Sequence, residues 1–152
     1  MNITLNYSPN FDIKKRKIKD IKFIIFHYTG MKKEVDAIKR LTNFKSKVSC
    51  HYFIKNSGEI LTLVPDLYIS WHAGKSSWKN YKSINKYSIG IEISNPGHSH
   101  NYKSFSSKQI ESILKLSKNN ENDKQIELAK VVALLVHAAK IDQDFSSKEE
   151  KF

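Results

Sequence analysis

The sequence predicts an α/β domain in which a central, mostly buried sheet is covered by helices. Three observations carry that prediction. The run Phe23-Ile24-Ile25-Phe26 is apolar at every position, as a strand buried on both faces requires. Two apolar stretches at 51–55 and 59–64 flank the turn Asn56-Ser57-Gly58, a hairpin signature. Segments with apolar residues at helical spacing alternate with these strands. At 152 residues the chain has the size of one domain, read here as a single unit over 1–152.

In chain order, residues 1–20 form a polar arm, and the first buried strand runs over about 21–27. Val35, Ile38 and Leu41 recur at helical spacing, predicting a helix over 33–42. The hairpin follows. A long polar stretch at 65–86 carries both tryptophans, Trp71 and Trp78, and reads as loop. Residues 88–94 form another strand, closed by Asn95-Pro96-Gly97. Ser106 with Gln109 three positions on resembles a capping box and opens a helix to about 118. After a break at 119–123, residues 124–130 look helical, and the apolar run 131–136 fits either a continued helix or a strand.

Composition excludes several function classes. The formal charge is +11, from 26 Lys and Arg against 15 Asp and Glu, yet only Arg16 and Arg40 are arginines. Bidentate base readout leans on arginine, and no base-reading motif is present, so nucleic acid is not an expected partner. No stretch approaches the roughly 20 apolar residues that span a bilayer. The polar start has no leader pattern, so a cytoplasmic location is expected, or a periplasmic one if a leader has been removed. The single cysteine, Cys50, forbids an internal disulfide.

The chemistry gathers at strand ends. The first buried run ends in His27-Tyr28-Thr29-Gly30, and the run 131–136 ends in His137, soon followed by Lys140 and Asp142. Two imidazoles and a carboxylate, with water as fourth ligand, form a common catalytic zinc set. Glu92 sits in Ser88-Ile89-Gly90-Ile91-Glu92-Ile93-Ser94, where alternation puts Gly90, Glu92 and Ser94 on one face. A carboxylate there is either paired or functional, or it faces water from an edge strand. Gly90 hints at close approach by a ligand or backbone. In Trp71-His72-Ala73-Gly74 the indole either walls a groove or anchors a loop. Cys50 and His51 are strand neighbours pointing to opposite faces, which argues against a thiol–imidazole pair.

Four short motifs in order carry a resemblance over about residues 20–118: Phe26-His27-Tyr28-Thr29-Gly30, Val48-Ser49-Cys50-His51-Tyr52, Trp71-His72-Ala73-Gly74 and Ser88-Ile89-Gly90-Ile91-Glu92-Ile93-Ser94-Asn95. Together they resemble the zinc-dependent N-acetylmuramoyl-L-alanine amidases, the family that includes peptidoglycan recognition proteins and phage lysozyme-type amidases. The resemblance implies a mixed sheet flanked by helices and Zn2+ as cofactor. It implies hydrolysis of the amide between N-acetylmuramic acid and L-alanine, with peptidoglycan or a muropeptide as partner. His27 takes the position of the first zinc ligand and Glu92 that of the acid/base. Tyr28, His51, Trp71, His72 and Asn95 are the candidates for substrate contact.

The segment 119–152 departs from the family pattern, in which the second zinc histidine lies well before a transition-state lysine and an aspartate ligand. Here Lys140-Ile141-Asp142 follows His137 almost at once, with Gln143 where the pattern has proline. One reading keeps His137 and Asp142 as zinc ligands and Lys140 as the oxyanion stabiliser on a shortened loop. The other is a catalytically impaired module that binds peptidoglycan.

Overall fold

The computed structural model describes residues 3–119 together with a short strand at Leu134–Leu135. The strands are β1 (Ile3–Leu5), β2 (Phe11–Asp12), β3 (Phe23–Tyr28), β4 (Tyr52–Ile54), β5 (Ile60–Thr62), β6 (Ile69–Ser70), β7 (Ser77–Trp78), β8 (Tyr81–Lys82), β9 (Ser88–Ile93) and β10 (Leu134–Leu135). The helices are α1 (Glu34–Thr42) and α2 (Ser107–Asn119). Six strands form one sheet in the order β1-β5-β4-β9-β3-β10. Only β4–β5, the hairpin, is antiparallel; the other neighbours run parallel, so the sheet is mixed.

Strand alternation divides the core between the helices. Ile24, Phe26, Ile54, Ile60, Ile89, Ile91 and Ile93 lie on one face, under Leu116 and Ile113 of α2. Phe53 and Leu61 point to the other face, where Ala37, Leu41 and Ile38 of α1 cover them with Cys50 and Leu63. The capping box expected at Ser106 is formed: Ser106 N–H donates to Gln109 Oε1 at 3.0 Å, and Gln109 N–H donates to Ser106 Oγ at 3.2 Å. Gln109 also bonds inward, its Nε2 donating to the Ser94 carbonyl at 2.8 Å.

Three sequence expectations change. The arm contains β1, which pairs with β5 in the register Ile3↔Ile60, although its side chains are exposed. The polar stretch 65–86 contains β6, paired with β2, and the small β7–β8 hairpin. Backbone pairing, not apolar patterning, makes these short strands. Of the run 131–136, Leu134 and Leu135 form a strand alongside Ile25 and Phe26 of β3, which selects the strand alternative there.

Arg16 ties the loops beneath the site together. It is buried, and its guanidinium donates to the carbonyls of Asp66, Asn85 and Ser88 at 2.7–3.0 Å. No lysine presents so many donors in a fixed fork. Arg16→Met strands several of these carbonyls and is expected to destabilise the fold by about 2–4 kcal/mol. Urea denaturation measures this; an unchanged midpoint would refute the strut.

Candidate active site

Parallel β3 and β9 deliver their C-terminal ends to the same side of the sheet, where open α/β sheets place ligands. In that pairing His27 stands directly beside Glu92, and Ile25 beside Gly90. Alternation turns His27 and Glu92 away from α2, onto the face that α1 covers. Glu92 also has Phe53 of β4 as its register partner on the other flank. It therefore lies on a central strand, which excludes the edge-strand reading.

Burial sets the protonation of both groups. His27 is 5% exposed, and desolvation lowers its pKa to about 4, so the ring is neutral at pH 7. Glu92 is 9% exposed, and desolvation raises its pKa to about 8. A carboxyl poised near neutrality suits acid/base work. Cys50 is fully buried and its thiol is pushed up, chiefly by desolvation, which leaves it inert as a nucleophile.

The raised Glu92 pKa has a stability consequence with a definite sign. Below the unfolded value of about 4.3, both states carry the proton and folding costs nothing on this account. As pH rises from there toward about 8, the unfolded chain ionises while the folded one does not, and stability falls. The slope is about 1.4 kcal/mol per pH unit. Metal-free Glu92→Gln should lack this loss, so urea denaturation from pH 5 to 8 should show a flatter profile than wild type. Parallel profiles would contradict the burial of an ionisable carboxyl.

His72 is the residue the sequence placed in a loop and the structure places at the centre. Its ring lies on Gly90, where a Cβ would collide with His72 Cγ. The close approach that Gly90 permits is thus a side chain's. His72 Nδ1 is 3.0 Å from His27 Nε2, and His72 Nε2 is 3.0 Å from Ser88 Oγ. The loop is held by Ala73 N–H, which donates to Asn85 Oδ1 at 2.8 Å. Both ring nitrogens of His72 are thus engaged by neighbouring side chains.

Two other candidates, His51 and Asn95, are buried and hydrogen-bonded within the fold. His51 is fully buried, with Nδ1 at 2.8 Å from Ser70 Oγ and 2.9 Å from Gly90 N, and Nε2 at 2.9 Å from Arg16 Nη2. Asn95 is 3% exposed; its Nδ2 donates to the Lys103 carbonyl at 2.6 Å and its Oδ1 accepts from Gly97 N–H at 2.9 Å. It builds the turn after β9, a common use of asparagine. Tyr28 is buried with its ring edge against His98, centroids 6.4 Å apart. Trp71 is half-buried, its Nε1–H donating to Asp12 Oδ1 at 2.8 Å. Among the described residues no three His, Cys, Asp or Glu gather to hold a metal ion. His137, Lys140 and Asp142 lie outside the described residues.

The fold puts the chain in the class of single α/β domains with a mixed central sheet flanked by helices. More narrowly, residues 17–149 match the N-acetylmuramoyl-L-alanine amidase family, and the chain belongs to it. N-acetylmuramoyl-L-alanine amidase AmiD of Escherichia coli (strain K12) is 31% identical over 111 residues, 65% of this chain and 39% of AmiD. 1,6-anhydro-N-acetylmuramyl-L-alanine amidase AmpD of Citrobacter freundii is 45% identical over 47 residues, 31% of this chain and 25% of AmpD. The solved complex of E. coli AmiD with anhydro-N-acetylmuramic acid-L-Ala-D-gamma-Glu-L-Lys matches with a TM-score of 0.63 at 30% identity, covering 75% of this chain and 48% of that one. The chain spans less than half the length of these curated relatives. No helix among the described residues is long and apolar enough to cross a membrane.

Proposed function

We propose that this chain hydrolyses the amide between the lactyl group of N-acetylmuramic acid and L-alanine in muropeptides or peptidoglycan. The observation that carries the reading is the register pairing of His27 with Glu92 at the ends of parallel strands, in a member of an amidase family. The solved AmiD complex, with a muramyl peptide as its substrate, supports this substrate class.

The donor chemistry fits zinc. His27 offers a neutral imidazole at a strand end, and His137 and Asp142 would supply the remaining protein ligands. Bound zinc lowers the pKa of its water to about 7. The chain's own groups do the rest in this reading. Glu92 takes a proton from the attacking water and returns it to the leaving amine, and Lys140 stabilises the developing oxyanion. Tyr28 stays a candidate for shaping the groove beside the site.

Trp71 offers its indole face to the sugar or stem peptide while Asp12 holds its edge. Trp71→Ala should raise KM about fivefold, roughly 1 kcal/mol, with a smaller effect on kcat. Steady-state kinetics on a soluble muropeptide decide it; an unaltered KM returns Trp71 to loop anchoring. The reading as a whole is tested by mass spectrometry of muropeptide digests made with zinc-loaded protein. Free stem peptide and an N-acetylmuramyl sugar are the expected products. Scission between sugars or within the peptide would overturn the assignment. Retention of intact muropeptide without any product would instead favour the non-catalytic binding module.

A further inference from the structure

We propose that His72 is a positioning residue which, anchored by Ser88, fixes the tautomer of His27 and reserves its Nδ1 lone pair for the metal. The inference rests on the zinc-amidase reading for its consequence, but its geometry stands within the described residues.

Protons can be placed in turn along four groups. At the far end is the Ile84 carbonyl, which only accepts, and Ser88 Oγ donates its single proton there at 2.8 Å. The same oxygen, 3.0 Å from His72 Nε2, is then left to accept, so Nε2 carries the hydrogen. An imidazole above its ordinary pKa of about 6.5 carries a single ring proton; with that proton on Nε2, His72 presents a lone pair at Nδ1. His27 Nε2, 3.0 Å away, must therefore donate to it. That leaves Nδ1 as the sole nitrogen of the His27 ring with a lone pair to give.

The arrangement is built in by the sheet. Ser88 and Gly90 alternate onto the face that carries His27 and Glu92, and the missing side chain at Gly90 makes room for the His72 ring between Ser88 and His27. A carbonyl or carboxylate is the usual acceptor behind a metal-bound histidine, and losing that acceptor typically costs 10- to 100-fold in metal affinity. Here a second imidazole fills that place. An imidazole needs its own tautomer set, which is what Ser88 does.

The test has one spectroscopic arm and one binding arm. In zinc-free 15N-labelled protein, long-range 1H–15N spectra report which nitrogen of each imidazole is protonated. His27 and His72 are both expected as Nε2–H tautomers, with His27 identified by its absence from the His27→Ala spectrum. In Ser88→Ala, His72 should lose its single tautomer, and zinc affinity measured by chelator competition should weaken about 10-fold. His72→Leu should weaken it about 10- to 100-fold, whereas His72→Gln, whose amide oxygen accepts the same Nε2–H, should recover most of the loss. A His27 ring protonated at Nδ1 in the wild type overturns the proposal, as does wild-type zinc affinity in both Ser88→Ala and His72→Leu. Should His72→Leu not fold, Ser88→Ala and the wild-type spectrum still decide. A wild type that binds no zinc sinks the zinc-amidase reading, while the His27 tautomer remains readable and judges the inference separately.

Discussion

His27→Ala is expected to abolish tight zinc binding. Zinc sites with four ligands bind with about 10–16 kcal/mol, so a single ligand is worth on the order of 3 kcal/mol, about 100-fold or more in affinity. His27, the proposed first ligand, is held firmly, being buried on the six-residue strand β3 with His72 behind it. Metal analysis after dialysis measures the result, and stoichiometric zinc persisting in the variant would remove His27 from the site. His137→Ala separates the two readings of the C-terminal segment. Zinc lost in that variant supports the shortened loop as a ligand source; zinc retained there assigns the second imidazole elsewhere.

Glu92→Gln is expected to lower turnover by roughly 10²–10⁴-fold, the usual scale for a positioned acid/base, with zinc content unchanged. The substitution keeps the shape of the side chain and removes its ability to exchange a proton. Glu92 occupies the middle of the sheet between His27 and Phe53, and nothing structural recommends an ionisable group there. Burial that raises its pKa to about 8 is a cost that a purely structural residue would not carry. Turnover equal to wild type would reduce Glu92 to an accident of packing. Turnover and zinc lost together would make it a metal-site residue instead.

The parts of this molecule that were legible in the sequence are those written in local pattern. The β4–β5 hairpin announces itself through Asn56-Ser57-Gly58, α2 through the reciprocal bonds of Ser106 and Gln109, and β3 through its unbroken apolar run. His27 and Glu92 were visible because polar groups at such positions contradict the pattern around them. β1, β6 and the β7–β8 hairpin were not, since strands of two or three residues arise from pairing with distant partners. The roles of His51, His72 and Asn95 depend on what the fold brings against them, and no spacing shows that Ser88, Gly90 and His27 converge on one imidazole. Arg16 did leave a signal. In a chain that uses lysine almost everywhere else, an isolated arginine marks a site where a fork of donors is needed.

The coverage of β3 bears on how the chain associates. On one side β9 pairs with all six of its residues; on the other, among the described residues, β10 pairs with Ile25 and Phe26. A protein ended after Asn119 would keep both helices and both apolar faces but present β3, six residues long and mostly apolar, as an open edge. Such edges recruit strands from other molecules. Leu134 and Leu135 therefore act as a guard against self-association along that edge. Shortened versions made for binding studies should gather into oligomers or aggregates, and light scattering would show it before any loss of secondary structure.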